Sequence, residues 1–215
     1  MAELKKQGLY SSTLIVITAK HGQSPIDPTR YLPIPGPNGN NGESPATIIE
    51  SFLPNSESPA NSSGIGPTED DVSLLWLADS SNLEAAVSLI EANVAKAGIG
   101  QIYYGPTVAQ MFNPPGLPPD GDPRTPDIVI TPNVGVTYTG SSTKLSEHGG
   151  FSHDDTNVIL LVSNPSFPTA TITSSVETAQ VAPTILEALG LNPYSLDGVR
   201  IAGTPVLPGL HFGSH

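Results

Sequence analysis

Cysteine is missing from all 215 residues, which removes disulfides, thiolate metal ligands and cysteine nucleophiles and leaves the redox compartment unread. Charge is also scarce. Only 13% of the residues are charged, with eight Lys and Arg scattered against twenty Asp and Glu, for a net charge of −12. Such a surface repels a phosphate backbone, which argues against nucleic-acid binding through a basic patch. An acidic protein still handles phosphate esters if it carries divalent cations, because the ions reverse the local field. No apolar run approaches the length of a membrane span, and the opening "MAELKKQGLY" lacks the apolar stretch of a signal peptide. An extracellular setting, favoured here over the cytoplasm, therefore needs a signal outside this stretch. In that setting Asn61, in the sequon Asn61-Ser62-Ser63, is a glycan site.

What the chain has in quantity is proline (23) and glycine (21), together about a fifth of the residues, so its surface is rich in loops and its stability rests on a few apolar segments. "ELKKQGLY" has the composition of a helix end, stopped at Gly8. The aliphatic run in "STLIVITA" predicts a central strand over Thr13–Thr18, buried on both faces. From Ser24 to Thr68 the chain is rich in Pro, Asn, Gly and Ser, and only "SPATIIESFL" interrupts it, with Ser44 placed to cap a short helix begun by Pro45.

"DVSLLWLA" then reads as a strand over Val72–Leu77, followed by an amphipathic helix near Asn82–Ala97 with Leu83, Val87, Ile90 and Val94 at helical spacing and Gly98 as its stop. A short strand in "QIYYG" and a short helix opening on Pro106 complete a small α+β lobe. Beyond the proline-rich "NPPGLPPDGDPRTP", strands are expected at Asp127–Thr131, in "VTYTG" and at Asn157–Val162, and a helix at Thr178–Leu189 with an awkward Pro183 inside it. The tail "VRIAGTPVLPGL" reads as extended. The alternation is that of an α/β protein, and the chain divides into 1–71, 72–112 and 113–215.

Two loops concentrate chemistry. "TAKHGQSP" follows the first strand, and "EHGGFSHDDTN" precedes the strand "VILLV". Ligands in open α/β sheets gather outside the carboxyl ends of strands, and the glycines beside His21 and His148 let the backbone approach closely. The plain alternative is that both are hydrogen-bonded loop histidines and that "HDD" braces a turn, since Asp side chains bond their own backbone two residues on. Asp70 and Asp71, after Glu69, read as a solvated loop, and His211 and His215 as tail residues.

"TLIVITAKHGQSPID", "EHGGFSHDDTNVILLVS" and "VAPTILEALGL", in this order and spacing, resemble the second half of a type I phosphodiesterase/nucleotide pyrophosphatase of the alkaline phosphatase superfamily. The resemblance implies an α/β/α sandwich, a pair of divalent metal ions, usually zinc, and a Ser or Thr nucleophile attacking phosphorus in a small phosphate ester. It implies His21 and His148 as metal ligands on neighbouring ions, hence close together, with His153, Asp154 or Asp155 as further ligands or as groups orienting an imidazole. Lys20 stands where the wider superfamily has an aspartate ligand. An ammonium does not ligate a metal, so a direct phosphate contact is the role left for it.

The nucleophile and the remaining ligands of the family belong to a part of the fold ahead of this sequence. The chain is thus expected to be the C-terminal portion of a metal-dependent phosphoric-ester hydrolase, inactive alone. The alternative is a truncated relative without catalysis that serves as a structural, binding or self-assembling protein. In either case a sheet cut through its middle exposes an apolar edge, and self-association or pairing with the missing half is expected.

Overall fold

The computed structural model describes residues 1–36, 43–54, 66–117 and 119–212, so Asn61 and His215 lie outside the described residues. Its strands are β1 (Ile15–Thr18), β2 (Ser24–Pro25), β3 (Leu32–Pro33), β4 (Thr68–Glu69), β5 (Ser73–Leu75), β6 (Ile99–Tyr104), β7 (Ile128–Pro132), β8 (Val136–Thr137), β9 (Ser146–Glu147) and β10 (Leu160–Ser163). Its α-helices are α1 (Ala2–Lys6), α2 (Pro45–Ile48), α3 (Leu83–Glu91), α4 (Pro106–Met111), α5 (His153–Thr156), α6 (Val181–Ala188) and α7 (Asp197–Ala202). The chain forms two compact units, one of residues 1–20 with 158–215 and one of residues 21–157.

In the first unit β1 and β10 form an antiparallel ladder, Ile15 opposite Ser163 and Thr18 opposite Leu160. The expectation of a central strand buried on both faces is corrected here. The strand begins at Ile15, its ladder has two strands among the described residues, and Ile17 is 51% exposed. An aliphatic run reports β preference, whereas burial depends on how many neighbours the strand acquires.

The awkward Pro183 is accommodated simply. A 3₁₀ turn over Thr178–Gln180, closed by reciprocal Glu177 and Gln180 capping bonds, precedes α6. α6 then starts at Val181, which leaves Pro183 in its first turn, where a missing N–H costs least. The tail is not wholly extended: α7 forms within it and ends at Gly203, whose φ of 64° suits glycine.

The second unit is built on the antiparallel sheet β4-β5-β7-β6. β7 lies inside it, and Ile128, Val129 and Ile130 are fully buried, which is why that segment reads as unbroken aliphatic sequence. The expected lobe of residues 72–112 therefore shares its sheet with residues from further along the chain. α3 supplies Ala86, Val87 and Ile90 to a core with Ala46, Ile49, Leu75, Ile99 and Ile130. α3 stops earlier than its apolar spacing suggests, because the Asn93 side chain donates to the Leu89 carbonyl at 2.8 Å, and Val94 is left 38% exposed.

Ser44 caps α2 and Pro45 opens it, as the sequence predicts. The half-buried Glu69 adds a contact the sequence does not announce: its Oε1 accepts from the Ala46 N–H at 2.9 Å and from the Ser73 hydroxyl at 2.8 Å. One carboxylate thus ties the start of α2 to the sheet.

Candidate metal site

Three loops of the second unit converge because short pairings pin them together. The β2–β9 ladder sets Ser24 opposite Glu147, so the loops carrying His21 and His148 leave a shared point. The Asp71 N–H donates to the His148 carbonyl at 3.4 Å, and the Tyr138 N–H donates to the Asp70 carbonyl at 3.0 Å, which draws in the segment ahead of β5. As a result the His21 and His148 rings stack, with centroids 4.0 Å apart and planes 25° from parallel. His21 Nδ1 lies 2.8 Å from the Gly22 carbonyl. A carbonyl only accepts, so Nδ1 carries the proton in this bond and Nε2 keeps the lone pair a metal ligand uses.

His148 also meets two carboxylates. Ligating atoms of Asp70, Glu147 and His148 all lie within 4.8 Å of one another, the one such cluster of three among the described residues. Glu147 is 4% exposed; its Oε1 accepts from the His148 N–H at 3.2 Å, and its Oε2 takes the Lys144 ammonium. One imidazole and two carboxylates form a donor set that suits a divalent metal such as zinc or manganese. His21 stacks on this cluster without belonging to it. The described residues thus gather one set of three candidate ligands around His148, where the family resemblance implies a ligand set for each of two ions.

The remaining candidates separate by burial. Asp155 is 4% exposed, and its Oδ1 accepts from the Ser24 hydroxyl at 2.9 Å; that hydroxyl lies 2.7 Å from the Ser152 hydroxyl, which caps α5 by accepting the Asp155 N–H at 3.1 Å. Asp154 and His153 are exposed. His153 Nδ1 sits 3.5 Å from Asp154 Oδ1 and its Nε2 lies 2.8 Å from the Asn157 amide, so this imidazole is engaged within its own turn. Lys20 is exposed, at the end of the segment that carries β1, and His211 is exposed in the tail.

Asp70 and Asp71 are not the solvated loop that the sequence suggests, for both are partly buried. Burial, and after it the charge of Asp155, pushes the Asp71 carboxyl up to about 6, against a 3.4 Å bond from the Thr137 hydroxyl that works the other way. The sequence reasoning also passed over Glu147. Two signals were available: a run of three carboxylates leading straight into a buried strand, and a carboxylate directly before a histidine flanked by glycine.

Solved structures of similar fold include human ectonucleotide pyrophosphatase/phosphodiesterase 5, with a TM-score of 0.50 at 14% identity, and its murine counterpart, with 0.53 at 12%. The fold is alkaline phosphatase-like. The match covers 89% of this chain and 44% of each of those proteins, so the chain spans less than half their length. At these identities the likeness is one of fold. No protein-family model matches the sequence, and no curated sequence matches it.

Proposed function

We propose that this chain is the metal-binding portion of a phosphoric-ester hydrolase of the phosphodiesterase type, with Asp70, Glu147 and His148 holding one divalent ion and His21 packed against it. The single observation that carries this reading is the convergence of the two carboxylates and the two histidines from three separate loops. A divalent ion bound there supplies Lewis-acid polarisation of a phosphoryl oxygen. The protein's own part is to fix the His148 ring between His21 and the carboxylates and to keep the Glu147 charge out of bulk water. Lys20 keeps the role of a phosphate contact, and a small phosphate ester in an extracellular setting remains the substrate class, in line with the names of the two structural neighbours. No described helix is long and apolar enough to cross a membrane.

Zinc titration of the 215-residue chain tests the site, read by competition with a chromophoric chelator. His148→Ala and Asp70→Asn each weaken zinc binding by at least about tenfold. Equal affinity in wild type and both variants overturns the assignment. Turnover is assayed alongside, with a chromogenic phosphomonoester and a phosphodiester in zinc, manganese or magnesium. It stays near background, because a covalent mechanism needs an activated nucleophile within reach and none has been matched here. Robust turnover abolished by His148→Ala shows instead that the chain carries its own nucleophile.

A second reading, a self-assembling structural protein, is favoured by one observation. Among the described residues the β1–β10 ladder has two strands, and Ile17 in β1, Leu161 in β10 and Ile159 just before β10 are 51%, 42% and 60% exposed. The occupant this edge fits best is the same ladder of a second copy. Sedimentation velocity at rising concentration separates the readings: association that Leu161→Lys abolishes, without loss of zinc binding, supports assembly through this edge.

A further inference from the structure

We propose that Asp155 and Asp71 form a second site, built from oxygen alone, for a hard divalent cation of the Mg²⁺ type. The site lies in the cavity beside Gly150 and is separate from the His148 cluster. The cavity has a volume of about 410 Å³, and both carboxylates line it together with Ser24, Arg30, Thr137 and Gly150. Asp155 is 4% exposed, and while Oδ1 takes the Ser24 hydroxyl, Oδ2 is buried with no hydrogen-bond partner. An acceptor left unpaired in the interior is costly, and no protein donor among the described residues reaches this one.

That unpaired oxygen lies against Gly150. A side chain built at Gly150 would bring Cβ to 2.5 Å from Asp155 Oδ2 and to 3.0 Å from Asp71 Cβ. Both acids therefore pack closely against Gly150, where any side chain would displace them. Neither neighbouring cation, Lys144 or Arg30, forms an ion pair with Asp71 or Asp155 among the described residues, and Lys144 is paired with Glu147.

The chemistry selects the ion. There is no imidazole or thiolate among the residues lining the cavity, which disfavours zinc relative to the site at His148. Ca²⁺ takes about six to eight oxygens, mostly from protein, whereas Mg²⁺ is commonly held by one or two carboxylates and keeps several waters. Two carboxylates at the wall of an open cavity match the second pattern. Phosphate oxygens are the other usual partners of such an ion, so an anionic phosphate ester entering this cavity would meet a cation already in place.

The probe is Mn²⁺, followed by electron paramagnetic resonance in the full 215-residue chain with the His148 cluster first saturated with zinc, and displaced by MgCl₂. Wild type binds Mn²⁺, Mg²⁺ displaces it, and Asp155→Asn weakens binding by at least about tenfold while leaving zinc affinity at the His148 cluster unchanged. His148→Ala does the reverse. Asn at position 155 still accepts from Ser24, so the fold is expected to survive. If circular dichroism shows that it does not, Asp71→Asn decides the matter by the same comparison. Three results overturn the proposal: no Mn²⁺ binding by wild type at millimolar metal, equal binding in wild type and the folded Asp variant, or loss of Mn²⁺ and zinc together in His148→Ala. The last leaves a single site centred on His148, and the failure of zinc binding alone concerns only the function proposed above.

Discussion

The main-chain N–H of Gly22 donates to the Asp155 carbonyl at 2.7 Å, and the two loops lie so close that a Cβ at Gly22 would sit 1.8 Å from the Asp154 carbonyl oxygen. The glycine after His21 is therefore required by contact between backbones. Gly22→Ala has to push the two loops apart, at or above the roughly 1–3 kcal/mol typical of overpacking. Urea denaturation should show that loss, and zinc affinity should fall with it because His21 shifts away from His148. A variant as stable as wild type would mean the loops part at no cost.

Lys144 competes with any metal for Glu147. Its ammonium pairs with a carboxylate whose side chain is 5% exposed and which is one of the three proposed ligands. Lys144→Met should lower stability without metal, by no more than the roughly 3–5 kcal/mol of breaking a fully buried pair, since Lys144 is partly exposed. The same change should enlarge the rise in melting temperature produced by zinc. A smaller zinc-induced shift than in wild type would place the metal away from Glu147.

Glu69 ties α2 to the sheet through one oxygen. Glu69→Ala leaves the Ala46 N–H and the Ser73 hydroxyl without their acceptor, at about 1–3 kcal/mol for a buried group left unpaired. Glu69→Gln keeps an acceptor in place and should cost less. Denaturant midpoints for the two variants give the comparison, and the reverse order contradicts the capping role.

Asp127 gives the pH dependence a definite sign. Burial holds its carboxyl above the ordinary value of 3.8, against the opposing bond from the Leu77 N–H at 2.7 Å. A raised value in the folded state means that the fold binds the proton more tightly than the unfolded chain does. Its contribution is then fully present below 3.8 and is lost as pH rises through the folded value. Wild type should accordingly gain stability relative to Asp127→Asn when pH is lowered from about 7 to about 3. Urea midpoints for both proteins at the two pH values check this, and a difference that does not change with pH would rule it out.

Much of the second unit was legible before any coordinates. The fully buried β7 announces itself as "IVI", Ser44 and Pro45 mark the start of α2, and the spacing of Val87 and Ile90 gives the inner face of α3. These are local signals, carried by propensity, capping and periodicity within a few residues. The prominence of His21 and His148 was also legible, from the glycines beside them and from the family resemblance. The tertiary structure alone decided that Asp70 and Glu147 join His148, that Asp155 is buried while Asp154 and His153 face solvent, and that the aliphatic β1 stays half open. A carboxylate has the same sequence signature whether water or another loop surrounds it. Its environment is set by pairings such as β2 with β9 and Gly22 with Asp155, which join residues far apart in the chain and leave no periodic trace in it.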